Sequence, residues 1–201
     1  KTNTTSASAA ADARSAVMTF GYNQRKLVTG VTFTAQGGAT ATPNVTFGYD
    51  SAGNRTSMSS SESSVTYGYD TASRLTSENR TFAGLAGSFN LTYAYNQMGL
   101  LKEITNHWNH KVSYAFNIVG EMTGVTGQNY PTSGANTTYA SSMVYRAPGG
   151  LKQMNYGNGR SLSMSYNNRM LLTQWSIPSV MRWNYAYHYF NENTGRAVYA
   201  Q

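Results

Sequence analysis

The chain has 201 residues, with 15 Lys and Arg against 8 Asp and Glu, and a formal net charge of +7. Charged residues make up only 11% of it, while 16 Tyr, 19 Gly and many Ser and Thr dominate. So little charge excludes a charged, mostly helical surface, and the absence of cysteine excludes disulfides and thiolate metal sites.

Aromatic and β-branched residues suit a pleated, half-buried surface, and glycine suits turns. The class is therefore all-β. No apolar run approaches the ~18 residues that a transmembrane helix needs, so no membrane span is expected. Lys and Arg are scattered singly, without a run of three. Dispersed charge lacks the footprint of a nucleic-acid-binding surface.

Residues 1–16 form a low-complexity segment rich in Ala, Ser and Thr. It has no apolar h-region and no initiator Met. It is expected to be loosely ordered, and the chain to be a processed product or a piece of something longer.

Residues 17–201 read as an array of eight β-hairpins. In chain order the anchor aromatics are Tyr22, Tyr49, Tyr69, Tyr95, Phe116, Tyr145, Tyr166 and Tyr189, separated by 27, 20, 26, 21, 29, 21 and 23 residues. Two residues before each anchor stand Phe20, Phe47, Tyr67, Tyr93, Tyr114, Met143, Met164 and Tyr187. Four before stand Met18, Val45, Val65, Leu91, Val112, Ser141, Leu162 and Tyr185. A period of two is the strand period, so these columns share one aromatic face. The alternate positions are mostly small, as at Gly21, Gly48, Gly68 and Ala94.

A polar turn follows each anchor. Asp50 and Asp70 come directly after Tyr49 and Tyr69 and are expected to accept backbone N–H bonds in Asx-turns. Gly53, Gly99, Gly120 and Gly149, four residues after their anchors, are expected to take positive φ without a Cβ clash. The return strand brings apolar residues at Leu75, Leu101, Met122, Leu151 and Leu172, then at Val31, Met58, Ile104, Val125, Met154 and Trp175. The two columns lie three apart, so either the first tucks under the turn or the strand is bulged. Insertions rich in Gly, Ala, Thr, Ser and Asn, at 34–44, 81–88 and 128–142, are expected to join hairpins at the edge opposite the turns.

The runs FGYDSAGNRTS, YGYDTASRLTS, YAYNQMGLLKEIT and YAFNIVGEMTGVT resemble YD repeats. That family includes bacterial Rhs proteins, toxin-complex shells and teneurins. The resemblance covers the eight units, although Tyr22, Tyr145 and Tyr166 are followed by Asn, Arg and Asn, and the last copy has a longer turn. It implies a curled or spiral sheet forming part of a hollow shell or tube, secreted or at a bacterial-type cell surface, which in some members encloses a toxic polypeptide. No DPxGL-like segment of the kind that ends Rhs shells occurs, so self-cleavage is not assigned.

Catalytic and metal-binding candidates each have a simpler reading. Asp50 and Asp70, at equivalent places two strands apart, would lie ~9.5 Å from each other. That is wide of the ~5–5.5 Å of a retaining glycosidase pair, and turn capping explains both. His107 and His110 form a His-x-x-His without a third ligand, where a metal needs three or four; a solvent-facing loop with Trp108 packed down is the alternative. Gly157–Arg160 is a turn signal rather than a phosphate loop, since no helix pattern follows.

No cofactor, metal site or enzyme activity is expected. The functional expectation is a structural wall that shields a polypeptide cargo, with further repeats of a longer parent chain as neighbours. The alternatives are a subunit of a tube or fibre, joined to other copies through open β-edges, and a module that stacks its aromatics on surface glycans.

Overall fold

In the computed structural model, residues 2–5, 16–35, 42–129, 132, 134–147, 149–191 and 196–199 are described. They hold strands and turns, with no helix among them. The chain divides into two compact units: Lys1–Ala94 with Thr105–Trp108, and Tyr95–Ile104 with Asn109–Gln201.

The first unit contains β1 (Thr2–Thr5), β2 (Ala16–Tyr22), β3 (Val28–Ala35), β4 (Val45–Tyr49), β5 (Arg55–Ser59), β6 (Ser63–Tyr69), β7 (Leu75–Phe82) and most of β8 (Leu85–Tyr95). Each strand pairs antiparallel with the next, in chain order. β9 (Leu101–Asn106) is divided between the units.

The second unit continues with β10 (Lys111–Phe116), β11 (Met122–Gln128), β12 (Asn136–Tyr145), β13 (Leu151–Tyr156), β14 (Ser161–Tyr166), β15 (Leu172–Ile177) and β16 (Met181–Asn184). These also pair in sequence order. β17 (His188–Asn191) and β18 (Arg196–Tyr199) form a separate two-stranded sheet.

Within each unit the consecutive strands make one layer. Most domains bury a sheet face against a second layer; among the described residues only Val65, Gly127, Ala140, Leu162 and Ser176 are buried. Val65 is 1% exposed, set between Met58 and Arg80 of its neighbouring strands. Backbone ladders and cross-strand pairs, rather than an enclosed core, hold such a layer.

The spacing problem of the return strand resolves as a bulge. Gly48 faces Ser57 while Tyr49 faces Arg55, so Thr56 is the extra residue. Thr76, Thr123 and Thr173 occupy the same place in their hairpins. The bulge restores the face: Phe47 meets Met58, Tyr114 meets Val125 and Met164 meets Trp175. It also brings Glu78 opposite Tyr67, so an acidic side chain stands in this otherwise apolar column. Its charge is met by Arg80 at 2.9 Å.

Three expectations change. Thr2–Thr5 of the low-complexity segment is a strand, paired with β2; residues 6–15 lie outside the described ones. The stretch 81–88 is no irregular insertion: β7 and β8 run on until Phe82 pairs with Leu85 around the tight turn at Gly84, φ 75°. Residues 136–142 likewise belong to β12. Hydroxyl and amide side chains on an exposed face do not stop a ladder, so composition alone misplaced these ends. Finally, Tyr189 is not the end of an up-strand beside a tip turn. It lies within β17, opposite Val198 of β18, and the geometric counterpart of the other anchors is Tyr187.

Candidate functional site

Seven tip turns among the described residues share one construction. The residue after the anchor donates its N–H to the carbonyl four residues on: Asn23 to Leu27, Asp50 to Asn54, Asp70 to Arg74, Asn96 to Leu100, Asn117 to Glu121, Arg146 to Gly150 and Asn167 to Leu171, at 2.9–3.0 Å. Where that residue is Asp or Asn, its Oδ1 accepts the N–H of that same later residue, at 2.8–3.0 Å. Arg146, with no acceptor, is the exception in this set.

In these seven turns the fourth residue after the anchor has positive φ. Gly53, Gly99, Gly120 and Gly149 stand at 94°, 80°, 87° and 95°. Lys26, Ser73 and Met170 occupy the same place at 61°, 59° and 67°. The sequence reading found only the glycines, because the left-handed requirement leaves no mark when an ordinary side chain pays for it.

Asp50 and Asp70 are built into these turns. The Asp50 carboxylate accepts Asn54 Nδ2 at 2.9 Å. Asp70 accepts Arg74 Nε at 2.7 Å and the Ala72 N–H at 2.9 Å. The Asn54 side-chain amide holds the Asp50 carboxyl below the usual carboxylate range, and the Arg74 backbone N–H leads the same effect on Asp70. Both groups are half-buried and committed to capping.

The anchor phenols reach back one hairpin. Tyr49 donates to the Val28 carbonyl at 2.7 Å, Tyr69 to Arg55 at 2.9 Å, Tyr145 to Met122 at 2.8 Å, Tyr166 to Leu151 at 2.6 Å and Tyr187 to Leu172 at 2.8 Å. Every acceptor is the first residue of the preceding return strand, where the bulge interrupts the ladder. Burial pushes the Tyr69 phenol up from its ordinary value, which suits a donor. Tyr22 is exposed, Tyr95 ends β8, and Phe116 ends β10 without a hydroxyl to give. The Tyr166-to-Tyr187 spacing of 21 residues matches two other repeats. That signal was available, but a period of two cannot fix register to better than two residues.

Side chains also join neighbouring tips. Arg25 donates to the carbonyls of Asp50 and Ser51 at 3.1 and 2.9 Å. Asn54 donates to Ser73 Oγ at 3.0 Å, and the Arg146 guanidinium lies 4.4 Å above the Tyr166 ring centre.

In the first unit, Phe89 gathers Phe82, His107 and Trp108, with ring centres 5.6–6.4 Å apart. Trp108 is 64% exposed rather than packed down; it meets Phe89 only by an edge. Among the described residues no three His, Asp or Glu stand together as a metal-binding group.

These features define a tandem β-hairpin protein whose successive units are stapled by tyrosine. Its fold is similar to that of chains in the TcdB2-TccC3 structures. A chain of the TcdB2-TccC3 crystal structure is similar to it with a TM-score of 0.68 at 13% identity, over 89% of this chain and 10% of that one. A chain in the TcdB2-TccC3-Cdc42 structure gives 0.67 at 12% identity, over 92% and 10%. The TcdB2-TccC3 structure without its hypervariable C-terminal region gives 0.67 at 12%, over 89% and 10%. Such likeness shows the fold, and the chain spans about a tenth of the length of these proteins. No protein-family model matches, and no curated protein matches.

Proposed function

We propose that this chain is a wall segment: a structural, non-enzymatic stretch of a secreted, hollow β-shell that curls around a polypeptide cargo. The observation that carries this reading is the single layer of hairpins, each fastened to its predecessor by backbone ladder and tyrosine hydroxyl together. A layer built in this way extends by adding units, since each unit needs only its neighbours. Few side chains are buried among the described residues, which suits a sheet that closes over something else. The likeness to toxin-complex chains supports the same role.

The neighbours in this reading are further YD-type repeats of a longer chain. The Asp50 and Asp70 carboxylates serve turns, which supports a structural role for them. The test is electron microscopy of the native material, with protease digestion of any co-purified polypeptide. Discrete hollow particles that protect an enclosed chain are expected. Continuous fibres would replace this reading with the polymer. A surface-glycan module rests on one specific feature, the exposed Trp108 braced by Phe89, since aromatic faces can stack on sugar rings.

A further inference from the structure

The tip turns of the two units differ in chemistry. In the first unit the turn residues between the hydrogen-bonded ends are Gln24-Arg25-Lys26, Ser51-Ala52-Gly53 and Thr71-Ala72-Ser73. None is large and apolar. In the second unit Met98, Ile118, Val119 and Met170 occupy such places and are 50%, 95%, 73% and 58% exposed. The turn itself does not demand them, because the first unit makes the same turn without them. Single exposed apolar residues are ordinary; four on the tips of one unit are a pattern.

Charge follows the same division. Between Met122 and Asn191 the sequence has no Asp or Glu, against Arg146, Lys152, Arg160, Arg169 and Arg182. Arg146 and Arg169 sit in tip turns, and Lys152 on the bulge beside one. Arg146 takes the place that Asp or Asn fills in the six other turns, and so forgoes the side-chain cap. An open hollow of about 560 Å³ lies there, lined among others by Arg146, Lys152, Tyr166 and Asn167. Glu121 is the one acid in these four turns, and it accepts Asn117 Nδ2 at 2.8 Å.

Antiparallel hairpins in succession place their tip turns along one edge of the unit. We propose that this edge of the second unit docks on an anionic lipid bilayer. The apolar tips enter the acyl boundary, and Arg146, Lys152 and Arg169 meet lipid phosphates and carboxylates. A bilayer fits better than a folded partner. Protein hot spots seat in packed pockets, whereas Ile118 projects with no cradle around it and suits a fluid phase. Basic residues beside inserted apolar ones add attraction to anionic headgroups.

The test is co-sedimentation of the 201-residue chain with vesicles of phosphatidylcholine, with and without phosphatidylserine. Binding is expected only with phosphatidylserine, and it should weaken with salt. Ile118→Asn with Val119→Asn should reduce partitioning at least about tenfold. Each of Arg146→Gln, Lys152→Gln and Arg169→Gln should reduce it about fivefold at low salt. Lys26→Gln, at a tip of the first unit, should leave it unchanged. Circular dichroism and melting of each variant separate lost binding from lost folding. Equal binding to both vesicles, undiminished binding by folded variants, or capture of polyglutamate without vesicle binding would each overturn the proposal; the last would indicate an acidic polypeptide partner.

Discussion

The Tyr166 hydroxyl donates to the Leu151 carbonyl at 2.6 Å, so the last residue of β14 completes the first residue of β13. Leu151 lies beside the bulge of its own hairpin, where the ladder is interrupted. A bulge leaves backbone groups without ladder partners, and an unpaired buried carbonyl is costly. Each hairpin therefore repairs its predecessor, and the tyrosine column is a polar staple as well as an aromatic stack.

The tyrosine staple gives tyrosine-to-phenylalanine changes a definite size. Tyr166→Phe keeps the ring under Arg146 and loses only the hydroxyl, so a loss of about 1 kcal/mol is expected. Tyr49→Phe should cost about the same. Phe116→Tyr tests the converse, offering a donor where the column has none, and should stabilise by up to about 1 kcal/mol. Urea-unfolding midpoints decide between this and plain packing, in which the hydroxyl would not matter.

The left-handed turn position predicts opposite signs for opposite substitutions. An L-residue pays roughly 1–2 kcal/mol in that conformation. Lys26→Gly and Met170→Gly should therefore raise the melting temperature, although glycine usually lowers it by loosening the unfolded chain. Gly53→Val should lower it sharply. Its Cβ would also stand 2.9 Å from an Arg25 guanidinium nitrogen, disturbing the bonds that Arg25 makes to the next tip. Destabilisation by Lys26→Gly would contradict the turn assignment; Ser73→Gly is a poorer probe, because it also removes the Asn54 bond to Ser73 Oγ.

Acid should act through the caps. Asp50 and Asp70 titrate below the usual carboxylate range in the folded chain. A group with a depressed folded value contributes stability above its unfolded value and loses it as pH falls through the folded one. Melting temperature should thus hold above the usual Asp range and fall below it. Asp50→Asn with Asp70→Asn keeps an oxygen acceptor and should flatten that acid limb. Tyr69 acts at the other end: its value is raised, so its contribution is full below the ordinary tyrosine range and disappears as pH rises through the folded value.

Much of this was legible in the chain itself. Alternation with an aromatic every second residue specifies strands and their shared face, and Asp or Asn before a glycine specifies the tip. What escaped was whatever depends on a partner strand. The phenol acceptors, from Val28 to Leu172, are backbone carbonyls and carry no residue signature. Glu78 entered the aromatic column only because a bulge at Thr76 shifted the face. The Tyr189 assignment failed because period-two patterns are degenerate, and Tyr185, Tyr187 and Tyr189 satisfy them equally. The apolar tips at Ile118 and Val119 mattered only once their exposure was visible.

Strand β16 has β15 on one side and, among the described residues, no strand on the other. Met181 and Trp183 are exposed along it, and Tyr185 is exposed just beyond its end. An unprotected edge with large apolar side chains is a template for another strand, whether from further repeats or from a second copy. Tyr185 donates its N–H inward, to the Thr173 carbonyl at 2.8 Å. N–H directions alternate along an antiparallel edge strand, so those of Asn184 and Arg182 face outward. Arg182→Pro and Asn184→Pro then remove donors from the free edge while sparing the pairing with β15. If copies join there, light scattering should show mass rising with concentration for the unaltered chain, and both proline variants should stay at the mass of one chain. An unaltered chain that remains a folded monomer at high concentration would eliminate the fibre reading.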